Sequence, residues 1–385
     1  MINISGRSSV EPFHAMDVLA AATKRKREGH PVISMAVGQP AHGAPAAVLA
    51  AARSGLANAA IGYTDALGTS DLRQSIAGHY ADRYGLTIHP DRIAITTGSS
   101  AGFNLAFLAL FDSGDRVVIT RPGYPAYRNI LQALGLVPVE IAVSEETQFT
   151  LTPSLLEEAA VRHGTIAGVL LASPANPTGT VTGRAALTDL VAYCETNGIT
   201  FISDEIYHGL SYSGGETSAL SLTDKAVIVN SFSKYYCMTG WRIGWMVLPE
   251  QAIRPVERLA QSLYISPPEL SQIAACAAFG ATDELEAIKR GYEANRALLM
   301  KRLPEIGFSI ASPMDGAFYA YADASRFTND SMEFARTMLT QIDVAATPGR
   351  DFDPVEGHRT IRFSYAGSYQ EMEEAVDRIS DWLAT

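Results

Sequence analysis

The chain has 385 residues, 47% of them hydrophobic and 18% charged, and a formal net charge of −11. That length and apolar content give a folded protein with a large core and room for two domains. The acidic balance argues against nucleic acid as the main partner, because phosphate backbones call for clustered Lys and Arg. The three dispersed cysteines, Cys194, Cys237 and Cys276, read as free thiols of a reducing compartment, not as a disulfide framework or a zinc site.

The N-terminal stretch "MINISGRSSVEPF" lacks the basic start and apolar core of a signal peptide. No apolar run approaches the ~20 residues of a membrane span, so a cytoplasmic protein with no membrane partner is expected. The basic run "KRKR", Lys24 to Arg27, closes an early helical stretch and reads as a solvated face. Short β-rich runs follow: "RIAITT" (92–97), "DRVVIT" (115–120), "VPVEIAV" (137–143), "IAGVLLAS" (166–173), "GITFISDE" (198–205), "KAVIVNSFS" (225–233) and "RIGWMVL" (242–248). Most are continuously apolar, as strands covered by helices on both faces are, and helical stretches such as "RAALTDLVAYCETNG" separate several of them. The fold class expected is α/β: a large domain with a mainly parallel seven-stranded sheet, over 42–284. After Pro267-Pro268 the pattern changes to a long helical stretch, the runs "GAFYAYAD" (316–323) and "TIRFSYA" (360–366), and a last helix with Met372, Val376, Ile379 and Leu383 on one face. This predicts a smaller α+β domain over 285–385.

Ligands of open α/β sheets bind beyond the carboxyl ends of the strands, so the residues that follow each run are the candidates. Gly98-Ser99-Ser100 leads into a helix whose N–H groups and dipole favour an anion, although such a segment alone is more often a plain turn and N-cap. Tyr124, in "RPGYPAY", offers a flat face from a rigid loop. Asn176, in "PANPTGT", stands in a turn before Gly179. Asp204 ends a buried strand and needs a cation or donors, Tyr207 follows three residues on, and Glu205 points to the other side as a structural acid. Ser231, Ser233 and Lys234 follow "AVIVN", with Arg242 eight residues past the lysine. Hydroxyls and a guanidinium suit a phosphate, and a lysine amine bonds covalently to an aldehyde. Taken together these groups describe one ligand with a phosphate, an aromatic ring, a protonated ring nitrogen, a phenolic oxygen and an aldehyde, which is pyridoxal 5′-phosphate.

"NPTG", "SDEIY" and "SFSKYYCMTGWRIG", in this order, resemble the fold-type I pyridoxal-phosphate enzymes of the class I/II aminotransferase family, the aspartate-aminotransferase-like group, and the likeness runs from "VGQP" (37–40) to "IRFSYAG" (361–367). The resemblance implies that Lys234 bonds the cofactor aldehyde, Asp204 pairs with the ring nitrogen, Asn176 and Tyr207 bond the ring hydroxyl and Tyr124 stacks on the ring. It implies that Ser99, Ser100, Ser231 and Arg242 hold the phosphate, and that Tyr63 reaches the phosphate of a second subunit in a homodimer. Arg362 is expected to grip the substrate carboxylate, with Gly38 close by, and residues 1–41 to pack with the small domain. Ser100 stands where some aspartate-using relatives carry lysine, Ser173 where many carry asparagine, and His42 where an aromatic is frequent, so a dicarboxylate preference does not follow. Val10, Pro12, Phe13 and His42 are candidates for the side-chain pocket. The expected activity is ping-pong transfer of an amino group between an L-amino acid and a 2-oxo acid, with Lys234 as general base. The alternatives are a C–S β-lyase on the same cofactor and a non-catalytic regulatory domain, the latter opposed by the acidic charge and the short segment before "VGQP". A nicotinamide oxidoreductase is rejected for want of a G-x-G-x-x-G after a strand.

Overall fold

All seven apolar runs of the first two-thirds of the chain pair into one sheet. In this computed structural model, which describes residues 2–384, β1 is Ile33–Met35, β2 Ile93–Thr96, β3 Arg116–Arg121, β4 Val137–Ala142, β5 Gly168–Ala172, β6 Thr200–Asp204, β7 Val227–Ser231 and β8 Gly244–Val247. The strand order is β2-β8-β7-β6-β5-β3-β4. β8 pairs antiparallel with both neighbours, and the remaining pairs are parallel. The unbroken hydrophobicity has its explanation in the two faces. Val169, Leu171 and Ile228 enter one buried cluster, while Leu170, Val227 and Val229 enter another on the opposite side.

A second sheet joins the two ends of the chain. Its strands are β1, β9 (Tyr319–Asp323), β10 (Val344–Pro348) and β11 (Thr360–Ser364), in the order β1-β10-β11-β9. β1 lies parallel to β10, in register from Ile33 opposite Val344 to Met35 opposite Ala346. The sequence reading named β9 and β11 and missed β1 and β10. β1 is three residues long, and β10, "VAATP", is rich in small residues of low strand propensity that suit the close approach of the first helix, His14–Arg27. One basic residue departs from the expected solvated face: Arg25 reaches Asp343, just before β10, at 2.6 Å. The long helix Thr282–Ile306 passes without a break through position 284, where a domain boundary was expected, and ends at Gly307 in the left-handed region. The last helix, Tyr369–Leu383, starts in a capping box on Ser368 and Glu371 and buries Met372, Val376 and Ile379.

Candidate active site

The loops after β2, β3, β5, β6 and β7 converge on one cavity of about 440 Å³, lined by Gly38, Ser99, Ser100, Tyr124, Asn176, Asp204, Tyr207, Ser233, Lys234, Arg242 and Arg362. The expected residues on this wall come from elements up to several hundred positions apart. Three expected residues lie off it. Gly98 is just behind, Ser231 is buried with its hydroxyl bonded to Ser233 Oγ at 2.9 Å and Ile243 O at 3.1 Å, and Tyr63 is 83% exposed on the outer surface.

Lys234 sits at the centre. Its Nζ donates to Gly38 O at 2.6 Å and lies 5.8 Å from the Tyr207 ring. A side chain at Gly38 would collide with the Tyr319 hydroxyl, so only glycine lets the backbone approach the amine here. Burial, and next the Arg362 guanidinium, lower the Lys234 ammonium to about 8, against the pull of Asp204.

Asp204 closes β6. Burial pushes its carboxyl up to about 6, opposed by hydrogen bonds from Tyr127 and from the Ile206 backbone N–H at 3.0 Å. Tyr127 is a wall residue that sequence reasoning passed over, although it stands in the quoted run "RPGYPAY". It stands in the first turn of the helix Pro125–Ala133, three residues past the N-cap Tyr124, whose ring it meets edge to face at 5.2 Å, and that short spacing was the available signal. Glu205 faces away from the cavity, as expected of a structural acid. Its Oε1 accepts from Ala219 N at 2.9 Å, Ser218 Oγ at 3.0 Å and Ser203 Oγ at 3.2 Å.

One end of the cavity is built for an anion. Gly98 precedes the helix Ser99–Leu110 with φ of 83°, and a Cβ there would come within 2.5 Å of Arg242 Nη2. Helix start, hydroxyls of Ser99 and Ser100, and guanidinium thus share one cradle. Arg242 is steered by a bond to Thr239 O at 3.0 Å.

The other end holds Arg362, which is 2% exposed. Its guanidinium carbon lies 4.3 Å from the centroid of the Tyr319 ring and 4.6 Å from that of Phe352. It donates to Asn176 Oδ1 at 2.9 Å, Thr347 Oγ1 at 3.2 Å and the Ala36 carbonyl. Its Nε has no hydrogen-bond partner among the described residues. Tyr319, also missed from sequence, meets Tyr207 OH at 2.6 Å.

Part of the wall is apolar. Phe13, Ala15, Met16 and Leu19 come from the first helix and the residue before it, and Val37 from the segment after β1. Asp351 accepts from the N–H groups of His14 at 3.1 Å and Ala15 at 2.9 Å, fixing the start of that helix. Of the candidates for the side-chain pocket, Phe13 is on this wall. Val10 and Pro12 are not, and His42 lines a neighbouring depression with Cys237 and Trp241.

An amine of lowered proton affinity, a buried carboxyl and an anion cradle line one cavity, and such a set can serve one small molecule at once. Fold and site together define a pyridoxal-phosphate-dependent enzyme of fold type I, and the donor set fits that cofactor: Gly98 leaves room where Arg242 meets the helix start, and Asp204 is a buried acid near Lys234. Comparison with known proteins narrows the class. The chain belongs to the family described as aminotransferase class I and II, whose profile matches residues 30–379. It is a pyridoxal-phosphate-dependent aminotransferase. It is 48% identical to the valine–pyruvate aminotransferase of Mycobacterium tuberculosis, over 98% of this chain and 97% of that protein. A (5-formylfuran-3-yl)methyl phosphate transaminase of Methanocaldococcus jannaschii is 36% identical over 97% of both chains. A crystal structure of an aminotransferase from Mycobacterium tuberculosis superposes with a TM-score of 0.96 at 46% identity, over 100% of both chains.

Proposed function

We propose that this enzyme moves the amino group of an apolar L-amino acid of about valine size to a small 2-oxo acid, in a ping-pong cycle. The observation that carries the substrate reading is the apolar wall of Phe13, Met16, Leu19 and Val37, facing a cavity whose lining cations, Lys234, Arg242 and Arg362, each already have a task. No further cation lines the cavity among the described residues to meet a second carboxylate. The name of the Mycobacterium tuberculosis relative, valine–pyruvate aminotransferase, supports the same class.

When bound, pyridoxal phosphate supplies an aldehyde that takes up the amino group and a ring that accepts electrons from the breaking Cα–H bond. Ser99, Ser100, Ser233 and Arg242, with the helix start after Gly98, would hold its phosphate, and Ser231, off the wall, would act only by holding the Ser233 hydroxyl. Tyr124 would cover the ring face, Asn176 and Tyr207 would orient the ring oxygen, and Asp204 would hold positive charge at the ring nitrogen. Arg362 pairs with the substrate carboxylate, its plane fixed in advance by Tyr319 and Phe352. Lys234 Nζ takes the Cα proton as general base. Burial and the Arg362 guanidinium lower its ammonium, which favours the neutral amine that a general base needs.

The reading includes a cytoplasmic homodimer, with residues 1–41 and 285–385 forming the small domain and 42–284 the large one. Hydrogen bonds from Gly62 N to Glu269 at 2.6 Å and from Thr64 N to Ser266 Oγ at 3.2 Å join the loop that carries Ile61 and Tyr63 to the junction of two helices that carries Leu263 and Ile265, all four exposed. Such apolar exposure supports burial against a second copy, where Tyr63 would reach the cofactor phosphate of the other subunit.

The test is a set of single half-reactions. Cofactor-loaded protein is mixed with one L-amino acid at a time, without oxo acid, and loss of the visible absorption of the lysine-bound cofactor is timed. Valine and similar apolar amino acids should react at least tenfold faster than aspartate or glutamate at equal concentration. Faster reaction of the dicarboxylates would overturn the substrate reading. Release of pyruvate and ammonia from a cysteine conjugate without any acceptor would favour the lyase instead.

A further inference from the structure

We propose that Tyr127 is a positioning residue for this reaction, donating its phenol proton to Asp204 Oδ2 so that the carboxylate stays ionised and turned toward the cofactor ring nitrogen. The proposal rests on the role given above to Asp204.

Asp204 is 3% exposed. An ionised carboxylate so placed needs donors on both oxygens, since each unsatisfied oxygen favours protonation. Oδ1 has the Ile206 N–H at 3.0 Å, and Oδ2 has the Tyr127 hydroxyl. With both oxygens held, rotation about the carboxyl group is restrained before cofactor arrives. Without Tyr127 one oxygen has no protein donor among the described residues.

The tyrosine is itself fixed. Its ring meets Phe103 edge to face at 5.1 Å and 73°, and Tyr124 at 5.2 Å and 81°. The residue is 5% exposed, and Asp204 is the one hydrogen-bond partner of its hydroxyl among the described residues. Burial, with the Asp204 charge second, holds the phenol well above its ordinary range, so it remains a donor throughout the working pH range. A residue that only filled space between Phe103 and Tyr124 would have no use for this oxygen, because a buried hydroxyl without a partner is destabilising.

The experiment compares wild type, Tyr127→Phe, Asp204→Asn and the double variant as a cycle. Two quantities are read: the affinity of the cofactor-free protein for pyridoxamine phosphate, which forms no bond to Lys234, and kcat and KM of the loaded enzyme with valine and pyruvate. Tyr127→Phe should weaken pyridoxamine phosphate and lower kcat by about tenfold each, ~1.4 kcal/mol, with KM for valine within about twofold. In the Asp204→Asn background the same change should alter either quantity less than about twofold. Equal losses in both backgrounds would mean that the residue acts through packing and would overturn the proposal, as would a Tyr127→Phe enzyme indistinguishable from wild type. An Asp204→Asn enzyme without defect would remove the underlying reading, and the proposal with it. If Tyr127→Phe does not fold, 3-fluorotyrosine at position 127 gives a second measurement: its fluorine resonance should move on Asp204→Asn, and an unmoved resonance refutes the hydrogen bond.

Discussion

Replacing Arg362 by lysine keeps the charge and removes the plane. The guanidinium is pinned by rings at 4.3 and 4.6 Å and by acceptors on Asn176, Thr347 and Ala36. A lysine ammonium can satisfy some of these acceptors, but it cannot also present two parallel N–H groups to a carboxylate. Lost stacking, ~0.5–2 kcal/mol per ring, mostly loosens the group before substrate arrives. The term that reaches the transition state is one charge-assisted hydrogen bond, ~1.5–3 kcal/mol, which corresponds to a fall in kcat/KM of roughly 10- to 150-fold. The assay is the valine half-reaction beside that of isobutylamine, which has the same side chain and no carboxylate. Valine should lose that factor, mainly through weaker binding, and isobutylamine should change less than about threefold. Equal losses for the two amines, or a valine loss below about threefold, would refute the assignment of Arg362 to the carboxylate.

Two further outcomes follow from the surroundings of the site. Asp351→Ala removes the carboxylate that receives the first N–H groups of His14–Arg27; the melting temperature should fall by an amount corresponding to ~1–2 kcal/mol, and KM for valine should rise more than KM for alanine, because the apolar wall is loosened, a contrast steady-state kinetics will read. Glu205→Gln tests a pH effect: burial raises the Glu205 carboxyl from 4.5 to about 8, so the folded chain keeps a proton that the unfolded chain has released. That stabilising contribution is complete below about pH 4.5 and is lost as pH rises toward 8, at up to ~1.4 kcal/mol per pH unit. Denaturant titrations of the cofactor-free protein from pH 5 to 8 should show this decline in wild type and a flatter curve in the variant, and parallel curves would refute it.

Much of the site was legible because its chemistry is local to strand ends. Lys234, Asp204 and Asn176 each follow an apolar run that reads as a buried strand, and in an open α/β sheet those ends face the ligand. Tyr127 was harder: its partner lies 77 positions on, and no periodicity encodes that pairing. The strands β1 and β10 were silent for another reason, since one is too short and the other too rich in alanine to carry a strand signal.

From its residues alone the chain specifies the strand-end lysine, the hydroxyls and arginine around it and the seven-stranded sheet, because strand and turn preferences act over a few neighbouring positions. Only the tertiary structure decides which distant groups meet. It brings the first helix against β10, makes Phe13, Met16 and Leu19 part of the wall, and closes two rings over Arg362. Those contacts depend on sheet order and on close packing across hundreds of positions, and such packing is a property of the folded whole.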